Sequence, residues 1–327
     1  MESCWPGSNK ALKTIKIITM RKLPFYLASY YKIAMLLILS VTIAGNSLLA
    51  QDSTAAPVKE VKKKVYTKST FEGNFLIDNQ SVMVPIKGTF EFDIQHRFGT
   101  MQNQFTDLYG LFASATMRLG FSYVVIKDLQ VGFGASNDRM QVDGNLKYAL
   151  LRQTKDNSMP VSVTLFGNTV MDTRARNSSI PIVVFSDRLS YFSQLIVARK
   201  FSEKFSVQVA PSLSYFNNVQ GYYDASGNVK AQMNNAHLAF SAGGRYKISK
   251  SMSLIVNYDQ PLTQHPMNNP HPNISFGLDM KSSGHDFQVF AGNYGYILPQ
   301  NNNMFNQNDY TRGQFLIGFN ISRLWNF

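Results

Sequence analysis

The chain has 327 residues, of which 16% are charged and 13% aromatic, with 24 Phe and 16 Tyr against 2 Trp. It lacks the repeated runs of ~20 apolar residues that a polytopic helical membrane protein needs, and its aromatic content favours strands. The formal net charge of +12 points to nucleic acid only until the charges are located.

Residues 33–45 form the one long apolar run, too short at 1.5 Å per residue to span ~30 Å of hydrocarbon. Arg21, Lys22 and Lys32 precede it and a small residue, Ala50, follows, which is the pattern of a signal peptide over residues 1–50 cleaved between Ala50 and Gln51. Met20 stands as an alternative start. The leader takes six basic residues and Glu2 with it, leaving 26 basic and 19 acidic residues. Residues 51–86 read as a periplasmic basic linker and N-terminal segment carrying Lys59, Lys62, Lys63, Lys64 and Lys68. Such a block is a solvated stretch or a contact for anionic lipid or cell-wall polymer. From Ser69 onward 21 basic residues face 17 acidic ones, so nucleic acid is not an expected partner. The single cysteine, Cys4, leaves with the leader, and disulfides and thiol chemistry leave with it.

From Thr89 the side chains alternate with period two. Phe90, Phe92 and Ile94 oppose Glu91, Asp93, Gln95 and Arg97. A longer segment from Leu111 to Tyr123 puts Met117, Leu119 and Phe121 opposite Arg118, Gly120 and Ser122. Comparable segments follow at Leu129–Ser136, Leu146–Leu150, Val161–Leu165, Ser206–Ser214, His237–Arg245, Ser253–Asp259, Ile274–Lys281, Asp286–Gly292 and Gln314–Ser322. Residues 188–200 fit least well, because Phe192 and Ile196 share a face with Gln194. The total is twelve strands. Connections at 127–128, 201–204, 249–251 and 282–284 are tight, with 153–159 intermediate, and those near 99–108, 137–144, 171–187, 218–234, 260–273 and 294–312 are generally longer. Short and long connections in alternation suit an up-and-down barrel in an outer membrane, with turns on one side and loops on the other. The polar face holds mostly Ser, Gly, Gln and Asn, which suits a barrel interior better than a solvated surface. The apolar face would then meet lipid.

At the C-terminus, Phe327, Trp325, Ile321 and Phe319 lie at alternate positions. They resemble the terminal strand by which outer-membrane barrels are recognised by their assembly machinery, with Arg323 interrupting the apolar series. A longer resemblance is carried by Ile77-Asp78-Asn79-Gln80-Ser81-Val82, Lys87-Gly88-Thr89, Glu91, Ile94, His96-Arg97-Phe98-Gly99 and the stretch from Lys147 to Gln153. These residues resemble the bacterial β-barrel family catalogued as domain of unknown function 5777. The resemblance implies a barrel and an envelope location, and no catalytic residue.

Catalytic chemistry is not expected. None of His96, His237 and His285 stands in a His-x-Ser arrangement like that of the barrel phospholipases. His96-Arg97 reads as a structural pair for loop carboxylates. The loop holding His265, Met267 and His271 has the residue types for a soft metal, with His285 as a remote third imidazole, but three prolines and an unfamiliar spacing favour a stiffened surface loop. No cofactor is expected, and Gly132-Phe133-Gly134 lacks the third glycine and helix of a phosphate cradle. Asn217-Asn218, Asn234-Asn235 and Asn301-Asn302-Asn303 read as polar surface, with sugar binding beside Tyr222, Tyr223, Tyr294 and Tyr296 as the sharper alternative.

The expectation is therefore an all-β protein: an up-and-down antiparallel transmembrane β-barrel of about 12 strands over residues 87–327, in the outer membrane of a Gram-negative bacterium. Its partners would be outer-membrane lipid, the assembly machinery and small polar solutes. The expected function is a narrow passive channel for such solutes or ions, lined by Glu91, Asp93, Arg118, Arg245, Asp279 and Asp286. A non-transporting scaffold acting through its long loops is the alternative, and a barrel hydrolase is a more distant one.

Overall fold

The computed structural model describes residues 64–176 and 182–327. The expected leader, its cleavage point and the lysines at 59, 62 and 63 lie outside the described residues. A small hairpin of β1 (Phe75–Leu76) and β2 (Asn79–Gln80) comes first. It is followed by β3 (Thr89–Thr100), β4 (Thr116–Ile126), β5 (Leu129–Ser136), β6 (Gln141–Leu151), β7 (Ser162–Asp172), β8 (Leu189–Lys200) and β9 (Phe205–Phe216). A second hairpin, β10 (Gly221–Tyr223) with β11 (Val229–Ala231), decorates the next loop. The chain then forms β12 (Ala236–Lys247), β13 (Met252–Pro261), β14 (Asn273–Ser282), β15 (His285–Gly292), a short helix α1 (Pro299–Phe305) and β16 (Leu316–Asn326).

The twelve long strands close into one antiparallel barrel in which β16 pairs with β3. Closure leaves no strand edge unpaired, as hydrocarbon requires. The alternation is inside-out relative to a soluble protein: on β4, Met117, Leu119 and Tyr123 are exposed while Arg118 and Gly120 are buried. Connections sort as expected, with tight turns such as 127–128 and 283–284 at one end and loops such as 217–235 and 293–315 at the other.

Three boundaries differ from the expectation. Residues 111–115, expected as the start of the second strand, are loop: they follow a 3-10 segment, Met101–Asp107, and a turn in which Leu108, Tyr109 and Gly110 have positive φ. Leu111 and Phe112 are exposed there as loop side chains. The loop expected at 137–144 is only four residues long, because β6 already starts at Gln141 and turns Asp143 inward. Finally, residues 188–200 are a regular strand whose inward face carries Phe192, Gln194 and Ile196.

That inward apolar pair is explained by what fills the barrel. Residues 70–84, which sequence places ahead of the barrel, run into its lumen and back as a plug. Phe71, Leu76, Ile77 and Val82 cluster against Phe166, Phe192, Ile196, Ala210, Ile255 and Phe290 of the wall. Each large apolar side chain so buried contributes about 1.5–3 kcal/mol before ordering costs are subtracted. From the loop end, α1 enters the lumen, with Gln300, Asn301, Asn302 and Met304 fully buried.

Candidate functional site

The plug exposes backbone that no strand pairs, so the wall must supply donors and acceptors. It does so mostly with amide side chains. Gln288 Nε2 donates to Phe75 O (3.0 Å) and its Oε1 accepts from Ile77 N (3.2 Å). Asn320 Nδ2 donates to Ile77 O, Gln208 Nε2 to Gln80 O, Thr164 Oγ1 to Val82 O and Lys147 Nζ to Asn74 O, at 2.6–3.2 Å. Asn79 bridges two strands, donating to Asp259 Oδ1 (2.7 Å) and accepting from Gln194 Nε2 (2.9 Å). The amide-rich inner face is thus in large part a receptor for a peptide.

At the turn end of the barrel the plug is latched by charge. Glu72 pairs with Arg245 (2.5 Å), Lys247 (3.3 Å) and Lys281 (3.4 Å), and Arg245 Nη2 also donates to Ser69 O (3.1 Å). Burial alone would raise the Glu72 carboxyl, but Arg245, Lys281 and Lys247 outweigh it and hold the group below the usual Glu range. Glycine gives the chain room at this point, since a Cβ at Gly73 would lie 2.0 Å from Asp286 Oδ2 unless that side chain moved. At the inner tip, Asp78 joins the plug to the opposite insert. Tyr294 Oη donates to Asp78 Oδ1 (2.7 Å) and Asn302 Nδ2 to Asp78 Oδ2 (3.3 Å). Burial raises the Asp78 carboxyl above the usual Asp range against these hydrogen bonds.

Glu72→Gln should loosen the latch by about 2–3 kcal/mol, because it leaves the buried Arg245 without a counter-ion. Its folded pKa is depressed, so the Glu72 contribution is present above the ordinary Glu pKa and is lost as pH falls through the lowered value. The difference between natural chain and variant, read as hydrogen-exchange protection of residues 70–84, should therefore close in acid. Asp78, shifted the other way, is common to both chains and cancels.

All six side chains expected to line the lumen point inward and are buried. Arg118 bridges Asp93 (3.0 Å) and Asp143, which it grips at both oxygens (2.8 Å each). Glu91 accepts from Asn74 of the plug and from Ser122 and Gln130. Arg245 is engaged by Glu72, Gln288 donates weakly to Asp279 (3.5 Å) and Gly73 covers Asp286. The expected lining leaves out Lys147 and Asp259, although both fall on the polar face of their strands, and misses Asp143 on the same inward face and the plug residues Glu72 and Asp78. Between plug and wall, against β3 to β7, a cavity of about 40 Å³ remains, bordered by Glu91, Asp93, Arg118, Lys147 and Asn168. It has room for a few waters at ~10–15 Å³ each.

The histidines have structural surroundings. His96 stacks on Phe319 (4.9 Å), and Arg97 lies over Phe290 (4.6 Å) and donates to Asn320 Oδ1 (2.9 Å) rather than to a loop carboxylate. His265 Nε2 lies 2.8 Å from His237 Nδ1, and its own Nδ1 accepts from Asn234 N. Met267 is exposed, His271 hydrogen-bonds through its backbone to Asn306 O, and His285 belongs to the turn end of the barrel, opposite the His265 loop. Among the described residues no group of three His, Cys, Asp or Glu is placed to hold a metal ion. The asparagines at 301–303 are not polar surface: they bind Asp138, Gln141, Tyr296 O, Asp78 and Asn273 inside the lumen. On β16, Phe319, Ile321 and Trp325 share the outward face, Arg323 lies over the Trp325 ring (4.9 Å), and Phe327 is exposed.

A closed antiparallel barrel with an apolar outside and a polar, peptide-filled inside is a transmembrane β-barrel. The chain belongs to the family described as membrane bound beta barrel domain (DUF5777), matched over residues 71–325, a span that takes in the plug as well as the strands. No curated protein matches it in sequence. Its structure is similar to the NanC porin, with 9% identity, 73% of this chain and 99% of that chain covered and a TM-score of 0.45. It is also similar to an outer membrane channel from Pseudomonas putida (12%, 74%, 97%, 0.44) and to the toluene transporter TodX from the same species (9%, 81%, 95%, 0.35).

Proposed function

We propose that the protein is a barrel of a Gram-negative outer membrane that provides a narrow passage for small polar solutes or ions and keeps it shut with residues 70–84. The observation that carries this reading is the asymmetry of the plug's seat. Its apolar side chains bind a socket on β7, β8, β9, β13 and β15, whereas against β3 to β7 a residual cavity bordered by Glu91, Asp93, Arg118 and Lys147 is left between plug and wall. A segment serving only to fill the barrel gains nothing from leaving a charged wall unsealed. Glu91, Asp93, Arg118, Arg245, Asp279 and Asp286 line the passage, and their mixed signs favour weak charge selectivity. No step of this function needs a catalytic residue. Phe319, Ile321, Trp325 and Phe327 serve insertion by the assembly machinery, after export behind a cleaved leader.

Planar-bilayer recording tests the reading. The purified full-length chain should pass rare, brief currents, and a chain without its plug should pass sustained ones. If neither exceeds the empty-membrane background, the passage does not exist. The filled lumen then favours the second reading, a non-transporting barrel that meets partners through its long loops.

A further inference from the structure

On the loop side of the plug a separate cavity of about 530 Å³ opens between the long loops. This volume lies in the range of small-molecule sites. Its two sides differ in chemistry. One is an apolar floor made by Phe216, Met233 and Met304, all buried, with Phe305 packed against them. The other carries arginine. Arg139 lies over the rings of Phe305 (4.5 Å) and Tyr296 (5.6 Å), so its guanidinium rests on aromatic faces, with Asp138 and Asp172 acting on it only beyond ion-pair distance. Arg188 spends one nitrogen on the carbonyls of Asp172 and Arg174 (2.8 and 2.7 Å). Among the described residues neither guanidinium has an acidic group within 4.0 Å, whereas the third arginine of the cavity, Arg174, is neutralised by Asp172.

Two further observations mark the cavity as built. Arg139 and Met140 both have left-handed backbone (φ 52° and 47°), a conformation costly for such residues. It is held by Thr173 Oγ1, which donates to Met140 O, and by Asn301 of α1, which binds Asp138 and Gln141 on either side. In addition, the Ser190 hydroxyl, on the cavity wall and 3% exposed, has no hydrogen-bond partner among the described residues. A buried hydroxyl left unpaired on the wall of a cavity that also carries Arg139 and Arg188, neither within ion-pair distance of a described carboxylate, is a place prepared for an acceptor.

We propose that this vestibule binds small organic monocarboxylates with a flat apolar body, the carboxylate on the side of Arg139, Arg188 and Ser190 and the body on the Phe216–Met304 floor. A polyhydroxylated anion would satisfy the arginines but would lose its hydration against the apolar floor. An uncharged aromatic would suit the floor and leave the arginines and Ser190 as they are. The site does not depend on the lumen ever opening.

Calorimetric titration of the full-length protein in detergent tests this with three probes: benzoate, benzyl alcohol and gluconate. Benzoate should bind saturably at one site per chain, with benzyl alcohol and gluconate each weaker by about tenfold or more, the worth of one charge-assisted contact or of the apolar body. Arg139→Gln should weaken benzoate by a similar factor, and Arg139→Lys should restore part of the loss. Absence of saturable benzoate binding, or gluconate binding as tightly as benzoate, overturns the assignment. So does unchanged affinity in an Arg139→Gln protein that retains the heat-sensitive gel mobility of a folded barrel. If that variant does not fold, the three-probe series on the natural chain decides alone. Because no current is measured, failure here leaves the passage reading untouched, and failure of the passage leaves this site standing.

Discussion

A chain in which residues 70–84 are replaced by a Gly-Ser segment of equal length is expected to conduct continuously, where the natural chain passes current only rarely. The replacement keeps the length of the connection and removes everything that docks it. Phe71, Leu76, Ile77 and Val82 no longer fill the apolar socket, and Glu72 no longer meets Arg245, Lys247 and Lys281. A Gly-Ser chain is a flexible coil that loses more by confinement than it gains from the wall. The barrel itself should survive, because its closure rests on pairing between neighbouring long strands, none of which includes the plug. The inner face freed by the change is rich in Gln, Asn and Thr, which water can satisfy. Phe192, Ile196 and Phe290 are left bare, so some loss of stability accompanies the gain in current. The same recording with Asp78→Ala separates the two inserts. It cuts the tie to Tyr294 and Asn302 and leaves the Glu72 latch intact, so its effect should fall between those of the natural chain and the replaced one. A replaced chain that stays silent would show that α1 and its loop close the lumen unaided.

The barrel was legible because alternation is a local property: each of β3, β4 and β5 announces its lipid face within ten residues. The plug was not, since its two strands are two residues long and its partners lie far away in sequence. Ile77 meets Gln288 and Asn320, and Asp78 meets Tyr294 and Asn302. No periodicity links such positions. A trace was nevertheless present in the residues that broke the pattern. Phe192 and Ile196 on a polar face looked like a poor strand, and Ile255 and Phe290 fell between their strands' outward positions. All four belong to the socket. Lys147, buried with its ammonium on Asn74 O, is the polar counterpart, a charge on a neutral face that awaited a partner from outside the barrel. Arg139 and Ser190 were invisible as a site because their roles depend on α1, and a run of three asparagines reads as solvent-exposed until something is known to bury it.

The largest stability loss is expected at Arg118. Its guanidinium grips both oxygens of Asp143 and one of Asp93, with side chains no more than 7% exposed. Room for it is made by Gly120 and Gly134, which pair across β4 and β5: a Cβ at Gly134 would lie 2.3 Å from Arg118 Nη2, and one at Gly120 would lie 2.1 Å from Asp93 Oδ2. Arg118→Ala leaves two buried carboxylates facing each other without a cation, which costs about 3–5 kcal/mol. Removing all three charges together, as Asp93→Asn, Arg118→Met and Asp143→Asn, removes the repulsion as well as the attraction and should recover most of that loss. Urea titration of the barrel in detergent micelles, read by tryptophan fluorescence and gel mobility, measures both. If the triple variant is as unstable as Arg118→Ala, the loss comes from packing of the long side chain and not from charge. The same substitution tests the passage in a chain already opened by plug replacement. With Arg118 gone, Asp93 on the wall of the residual cavity and Asp143 behind it stand unopposed, so the reversal potential in a salt gradient should move toward that of the cation. A potential that does not move would place the ion path away from β3 and β4, against the side where the plug leaves its gap.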